Sequence, residues 1–117
     1  MSELSVPGIT VSELARALRS ADAFVLLDVR EPIELQHARI VDSRLATVPM
    51  SLFSRHGISA LPEAATREAR IYVLCHHGNR SAEVTRWLAA QGWKNVHNVM
   101  GGIDQYARMI DRNAGFY

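Results

Sequence analysis

The chain has 117 residues, 48% of them hydrophobic and 21% charged, and its thirteen basic and twelve acidic side chains leave a formal charge of +1. That balance excludes a disordered or collagenous polypeptide and gives no electrostatic reason to bind nucleic acid or an anionic membrane. The length suits one domain over 1–117 with a core at about 9–112, and the longest apolar runs, Ala23–Leu27 and Ile71–Cys75, fall far short of the roughly 20 residues that cross a membrane.

Residues 1–8, with Pro7, read as a loosely held lead-in. Thr10 and Glu13 form a capping box, in which hydroxyl and carboxylate each satisfy a backbone amide at a helix start. Val11, Leu14, Ala15 and Leu18 then give one apolar helical face. Phe24–Leu27 is apolar without alternation, as in a strand buried on both faces of a parallel sheet. Asp28-Val29-Arg30-Glu31-Pro32 ends that strand, and Pro32 predicts a short helix through about His37. Arg44–Val48 is a weaker strand, and Pro49 starts a short helix through Phe53. Residues 54–69 are the least regular stretch. Ile71–Leu74 is a second buried strand. Ser81–Gln91 reads as a helix with Ala82, Thr85, Leu88 and Ala89 facing inward, Ser81 as its N-cap and Gly92 closing it. Val96–Val99 is the last strand. Gly101-Gly102 turns the chain into a helix with Ile103, Tyr106, Ala107 and Ile110 inward, and the tail 113–117 either folds back as a hydrophobic clip or frays. Trp87 and Trp93 read as packing residues and His97 as a surface or satisfied histidine.

Strands alternating with helices predict an α/β domain, with a mainly parallel central sheet flanked by helices on both faces. Ligands in such sheets sit beyond the carboxyl ends of the strands. Two segments fall there: Asp28-Val29-Arg30, and the loop Cys75-His76-His77-Gly78-Asn79-Arg80-Ser81. Cys75 is the only cysteine, so it forms no internal disulfide, and a free thiol suits a reducing, cytoplasmic setting. Gly78 permits a tight curl, and a curled loop at a helix start turns successive amides toward an anion. A thiolate facing such amides is stabilised. Arg80 adds a permanent charge that binds an anionic substrate or braces loop carbonyls, while His76 and His77 titrate near neutrality. A zinc site is not expected, because His37, His56 and His97 are scattered singly.

Four separated stretches, in this order and spacing, resemble a single-domain rhodanese, a sulfurtransferase domain. They are Phe24–Pro32, Cys75–Ser81, Gly92-Trp93-x-x-Val96-x-Asn98-Val99 and Gly101-Gly102-Ile103, and the likeness covers about Thr10 to Tyr106. The loop version also resembles stand-alone bacterial rhodaneses and those fused to adenylyltransferases of sulfur-carrier pathways. The resemblance implies a rhodanese-like fold and a Cys75 persulfide as the reaction intermediate. Sulfur would come from thiosulfate or another persulfide donor and leave to a thiol or to cyanide, with a sulfur-carrier protein as a candidate partner and no cofactor. It implies that residues 76–81 hold the substrate sulfur and that Asp28 and Arg30 brace neighbouring loops, whereas their place at the strand end alone would also let Arg30 touch substrate. Two departures stand out: Ala38-Arg39-Ile40-Val41-Asp42-Ser43 replaces the usual Gly-His-Ile-Pro-Gly-Ala, and His76-His77 replaces an Arg or Lys and a small residue. Other readings are a sulfur-relay or binding module, a phosphatase or arsenate reductase sharing a Cys-loop-Arg signature, and a scaffold without catalysis, which would usually have lost the cysteine.

Overall fold

The computed structural model describes residues 6–117. Five strands form one sheet in the order β1-β5-β4-β2-β3: β1 (Gly8–Ile9), β2 (Val25–Asp28), β3 (Leu45–Thr47), β4 (Ile71–Leu74) and β5 (Val96–Val99). Every pairing is parallel. The helices are α1 (Val11–Arg19), α2 (Met50–His56), α3 (Asn79–Ala90) and α4 (Gly102–Met109). Residues 1–5 of the lead-in lie outside the described residues. Gly8, the end of the lead-in expected to be loose, instead joins Ile9 in the edge strand beside β5, with Gly8 opposite Asn98 and Ile9 opposite Val99.

Side chains alternate across the sheet, and each face carries its own core. Leu26, Tyr72, Leu74 and Val99 pack with Leu14 and Ala15 of α1 and Ile103 and Ala107 of α4. Val25, Leu27, Ile71, Val73 and Val96 pack with Val84 and Leu88 of α3, and half-buried Met50 and Phe53 of α2 close that side. Strands β2 and β4 are buried at every position, which is why both read as unbroken apolar runs. Helices therefore cover both faces, as the alternating pattern predicts. The Thr10–Glu13 capping box is present, with Glu13 N–H donating to Thr10 Oγ1 at 3.1 Å and Thr10 N–H donating to Glu13 at 2.9 Å. Gly92 follows the last turn of α3 with φ +104°, and Trp93 N–H returns to Leu88 O at 3.1 Å, a helix end that requires the left-handed conformation.

Several element details differ from expectation. The first central strand runs one residue later, so that Asp28 is its last residue. The helix expected from Pro32 is only a 3₁₀ turn, Glu34–Gln36, because the Glu34 carboxylate accepts the Glu31 amide at 2.9 Å and tightens the chain there. Helix α2 continues past Phe53 to His56. Ala89 is exposed and Val84 is buried in α3, so the inward face runs through Ser81, Ala82, Val84, Thr85 and Leu88. Ile110 is 37% exposed, since α4 stops at Met109. Of the tryptophans, Trp87 packs edge-on against Phe53 and Trp93 donates to Ala65 O at 3.0 Å. His97 is half-buried, and its Nδ1 has no hydrogen-bond partner.

Asp28 and Leu74 are paired across β2 and β4, so the two segments singled out at strand ends emerge side by side. Asp28 and Arg30 are both 0% exposed. Asp28 Oδ1 accepts Arg30 N–H at 3.1 Å and Nε–H at 3.0 Å, and Oδ2 accepts Nη2–H at 2.8 Å. Removing one partner of a buried pair strands the other charge in a dry site. Asp28→Ala should lower the unfolding free energy by about 3–5 kcal/mol, read from urea denaturation at pH 7.

Candidate active site

Strand β4 ends at Leu74, and α3 begins at Asn79 after four intervening residues. Gly78 is the N-cap of α3, with φ +102° and no side-chain cap. The left-handed angle lets the chain fold back within four residues, which a β-carbon would oppose. The first amides of any helix lack intrahelical partners, and here they meet sulfur. Cys75 Sγ accepts Gly78 N–H at 3.1 Å and Ser81 N–H at 3.4 Å, and lies 3.1 Å from Ser81 Oγ. Cys75 is 1% exposed. The sulfur is thus placed under a curl of backbone donors, at the carboxyl end of a central strand.

Ser81 is not the helix N-cap expected of it. It lies two residues into α3, where its amide and hydroxyl both face Cys75, and the capping place belongs to Gly78. The Ser81 hydroxyl donates to Asn98 Oδ1, and Asn98 Nδ2 donates to Gly78 O at 3.2 Å. Ser81 and Asn98 are both fully buried. While Cys75 is a thiol, its S–H can donate to Ser81 Oγ; once it ionises, the serine hydroxyl can turn its proton to sulfur. Asn98 is a residue that the sequence offered only as part of a resemblance.

The loop is pinned from outside by α4. Ile103 N–H donates to Cys75 O at 2.9 Å and Asp104 N–H to His76 O at 3.0 Å. Gly102 has φ +63°, and a β-carbon there would run into the carbonyls of both Cys75 and His76. The Gly101-Gly102 pair therefore does more than turn the chain: it brings a helix N-terminus against the back of the loop.

Arg80 neither braces loop carbonyls nor projects as a free cation. Its Nη1 and Nη2 each donate to Glu34 at 2.7 Å. That fork holds the Glu34 carboxyl down to about 2, against the opposing effect of burial. Glu34 also accepts the hydroxyl of Tyr117 at 2.9 Å, and Arg30 Nη1 donates to the same hydroxyl at 3.1 Å. The tail does fold back, then, but its contact with the site is more than a hydrophobic clip. Tyr117 stacks on His76 with centroids 3.7 Å apart and rings 7° from parallel. Burial and the neighbouring His77 push the His76 pKa down, which keeps that ring neutral at pH 7. His77 and Asn79 are exposed. Sequence reasoning missed Glu34 and Tyr117, since the side chains they hydrogen-bond in the site lie 46 to 87 positions away.

His76, His77 and Asp104 each offer one atom, all within 4.8 Å of one another, so these three could hold a cation. The Asp104 carboxylate is engaged by Arg108 at 2.9 Å, and the two imidazoles lie against each other with centroids 3.9 Å apart. Among the described residues no helix is long and apolar enough to cross a membrane.

The sequence matches the family model for the rhodanese-like domain over residues 10–109. It is 34% identical to Thiosulfate sulfurtransferase GlpE of Pseudomonas syringae pv. syringae, over 79% of each chain. It is 32% identical to the chloroplastic Rhodanese-like/PpiC domain-containing protein 12 of Arabidopsis thaliana, over 96% of this chain but only 38% of that longer protein. Among solved structures, a rhodanese-related protein from Thermoplasma volcanium superposes with a TM-score of 0.71 at 31% identity, covering 87% of this chain and 91% of that one.

The contact between α4 and the loop generates a test. Gly102→Ala should cost about 1–3 kcal/mol of stability through its left-handed backbone angle. It should also lower the reactivity of Cys75 toward a thiol-specific alkylating agent at fixed pH, because the added carbon displaces the loop carbonyls.

Proposed function

The chain belongs to the rhodanese-like domain family, and from that footing we propose that it is a sulfurtransferase that works through a persulfide on Cys75. The observation that carries the reading is the sulfur of Cys75 held beneath the amides of Gly78 and Ser81 at the start of α3.

In the first half-reaction the Cys75 thiolate attacks the outer sulfur of the donor. With thiosulfate, the new S–S bond forms as the donor's own S–S bond breaks, and sulfite leaves with the electron pair. The product is a Cys75 persulfide anion. In the second half, a thiolate acceptor or cyanide attacks the terminal sulfur, and Cys75 leaves as thiolate. One transfer thus becomes two, each through a sulfur that is both a good nucleophile and a good leaving group. The amides of residues 76–81 are the groups positioned to stabilise the terminal sulfur anion, and because they are fixed by the fold they need no reorganisation when charge arrives. Asp28 and Arg30 act at a distance, by holding the end of β2 against the loop. A sulfur-carrier protein is a suitable physiological acceptor, and a reducing compartment such as the cytoplasm keeps the thiol available.

The phosphatase reading is weaker. Four residues separate Cys75 from Arg80, whereas the related phosphatases and arsenate reductases use five. The arginine of such an enzyme has to face the bound oxyanion, and that of Arg80 is tied to Glu34. A misplacement of about 1 Å can cost on the order of a hundredfold in rate.

Intact mass spectrometry tests the proposal. Thiosulfate should add one sulfur atom to the native protein, and dithiothreitol should remove it. Cys75→Ser should take up none, because an alkoxide is far harder to form than a thiolate. A serine variant that still converts thiosulfate and cyanide to thiocyanate would overturn the mechanism. So would Cys75-dependent hydrolysis of an aryl phosphate without sulfur transfer.

A further inference from the structure

Arg80 is the permanent positive charge of the catalytic loop, and a dianionic donor would be expected to seek it. Its two terminal nitrogens are already committed to one carboxylate, both at 2.7 Å. That carboxylate is held from two further directions, by the Glu31 amide at 2.9 Å and the Tyr117 hydroxyl at 2.9 Å. Glu34 therefore cannot swing aside cheaply to release the guanidinium, and it stays ionised throughout the neutral range. Two further cations close to the loop are also paired: Arg30 with Asp28, and Arg108 with Asp104, which in turn faces His77. His76 is neutral at pH 7 for the reasons given above.

We propose that Glu34 makes the mouth of the Cys75 loop electroneutral and thereby sets its donor class, favouring singly charged sulfane-sulfur donors, thiosulfonates and persulfides, over the thiosulfate dianion. The inference rests on the reading of Cys75 as the sulfur-accepting thiolate. The chemistry is the same for both donor classes. A thiosulfonate gives its outer sulfur to the Cys75 thiolate, the S–S bond of the donor breaks, and a sulfinate leaves with the electron pair in place of sulfite. Only the charge brought to the mouth differs. At an electroneutral mouth no free cation offsets the cost of taking a second negative charge out of water beside the Glu34 carboxylate, so the dianion loses more on entry than a monoanion does. The role of Glu34 is one of positioning and selectivity; it acts through Arg80 and the local field.

The test compares sodium thiosulfate with sodium benzenethiosulfonate, using cyanide as acceptor, in the native protein, Glu34→Gln and Glu34→Asp. Intrinsic donor reactivity cancels when the ratio of the two kcat/KM values is compared between each variant and the native protein. Glu34→Gln should raise the thiosulfate-to-thiosulfonate ratio about tenfold, the effect of one charge at a partly solvated site, and Glu34→Asp should leave it near the native value. Added salt should lower kcat/KM for thiosulfate in Glu34→Gln, where an attraction has been exposed, and leave the native value nearly flat. An unchanged ratio, an equal loss on both donors, or a steep salt dependence in the native protein would overturn the proposal. If neither donor adds sulfur to native Cys75 by intact mass, the sulfurtransferase reading fails and this inference with it. If both do and the ratio does not move, only the donor selectivity fails.

Discussion

For the loop after β4 to present amides to a sulfur, its carbonyls have to face elsewhere. In a trans peptide the C=O and the following N–H point in opposite directions. The carbonyls of Cys75 and His76 are both taken by amides at the start of α4, which turns the N–H groups of His76 and His77 away from α4. Gly78 then reverses the chain, and the free amides of α3 complete the curl. Two helix N-termini thus do opposite jobs. One spends its amides on the back of the loop, and the other leaves its amides to the sulfur. Both depend on a glycine at a left-handed angle, Gly102 in the first case and Gly78 in the second.

The charge pairs divide by burial in the same way as their roles. Asp28 and Arg30 are wholly enclosed, so their pairing is a condition of folding at the end of β2. Arg80 and Glu34 are partly open to water, where screening makes an ion pair worth little to stability. The value of that second pair lies in its geometry and in the charge it removes from the mouth. Tyr117 connects the two, accepting from Arg30 and donating to Glu34. The strand end, the tail and the Cys75 loop are thereby one hydrogen-bonded unit.

What could be read in the sequence is what local chemistry dictates. The capping box at Thr10, the unbroken runs that became β2 and β4, and the glycine closing α3 each depend on near neighbours. The family resemblance identified the fold and the loop. The edge strand β1 escaped because two residues, one of them glycine, carry no periodicity. The registry of Ser81 was misread because serine at a strand-to-helix junction usually caps, and only the observed φ of Gly78 shows that the glycine takes that place. Glu34 looked like one acidic residue among several, and Tyr117 like the end of a tail. Their significance comes from partners brought in by the fold, and no spacing rule encodes a contact between residues 34, 80 and 117. Asn98 is similar: it entered only through the resemblance, and its link to Ser81 and Gly78 is purely tertiary.

The central claim is that the cradle of amides around Cys75 is built for a second sulfur. A crystal structure of the protein after treatment with a sulfane-sulfur donor tests it most directly. The account predicts density for one additional atom bonded to Cys75 Sγ, lying within hydrogen-bonding distance of backbone amides in residues 76–81, with the Arg80–Glu34 pair intact. An added sulfur pointing away from those amides, or held instead by an Arg80 released from Glu34, would contradict it.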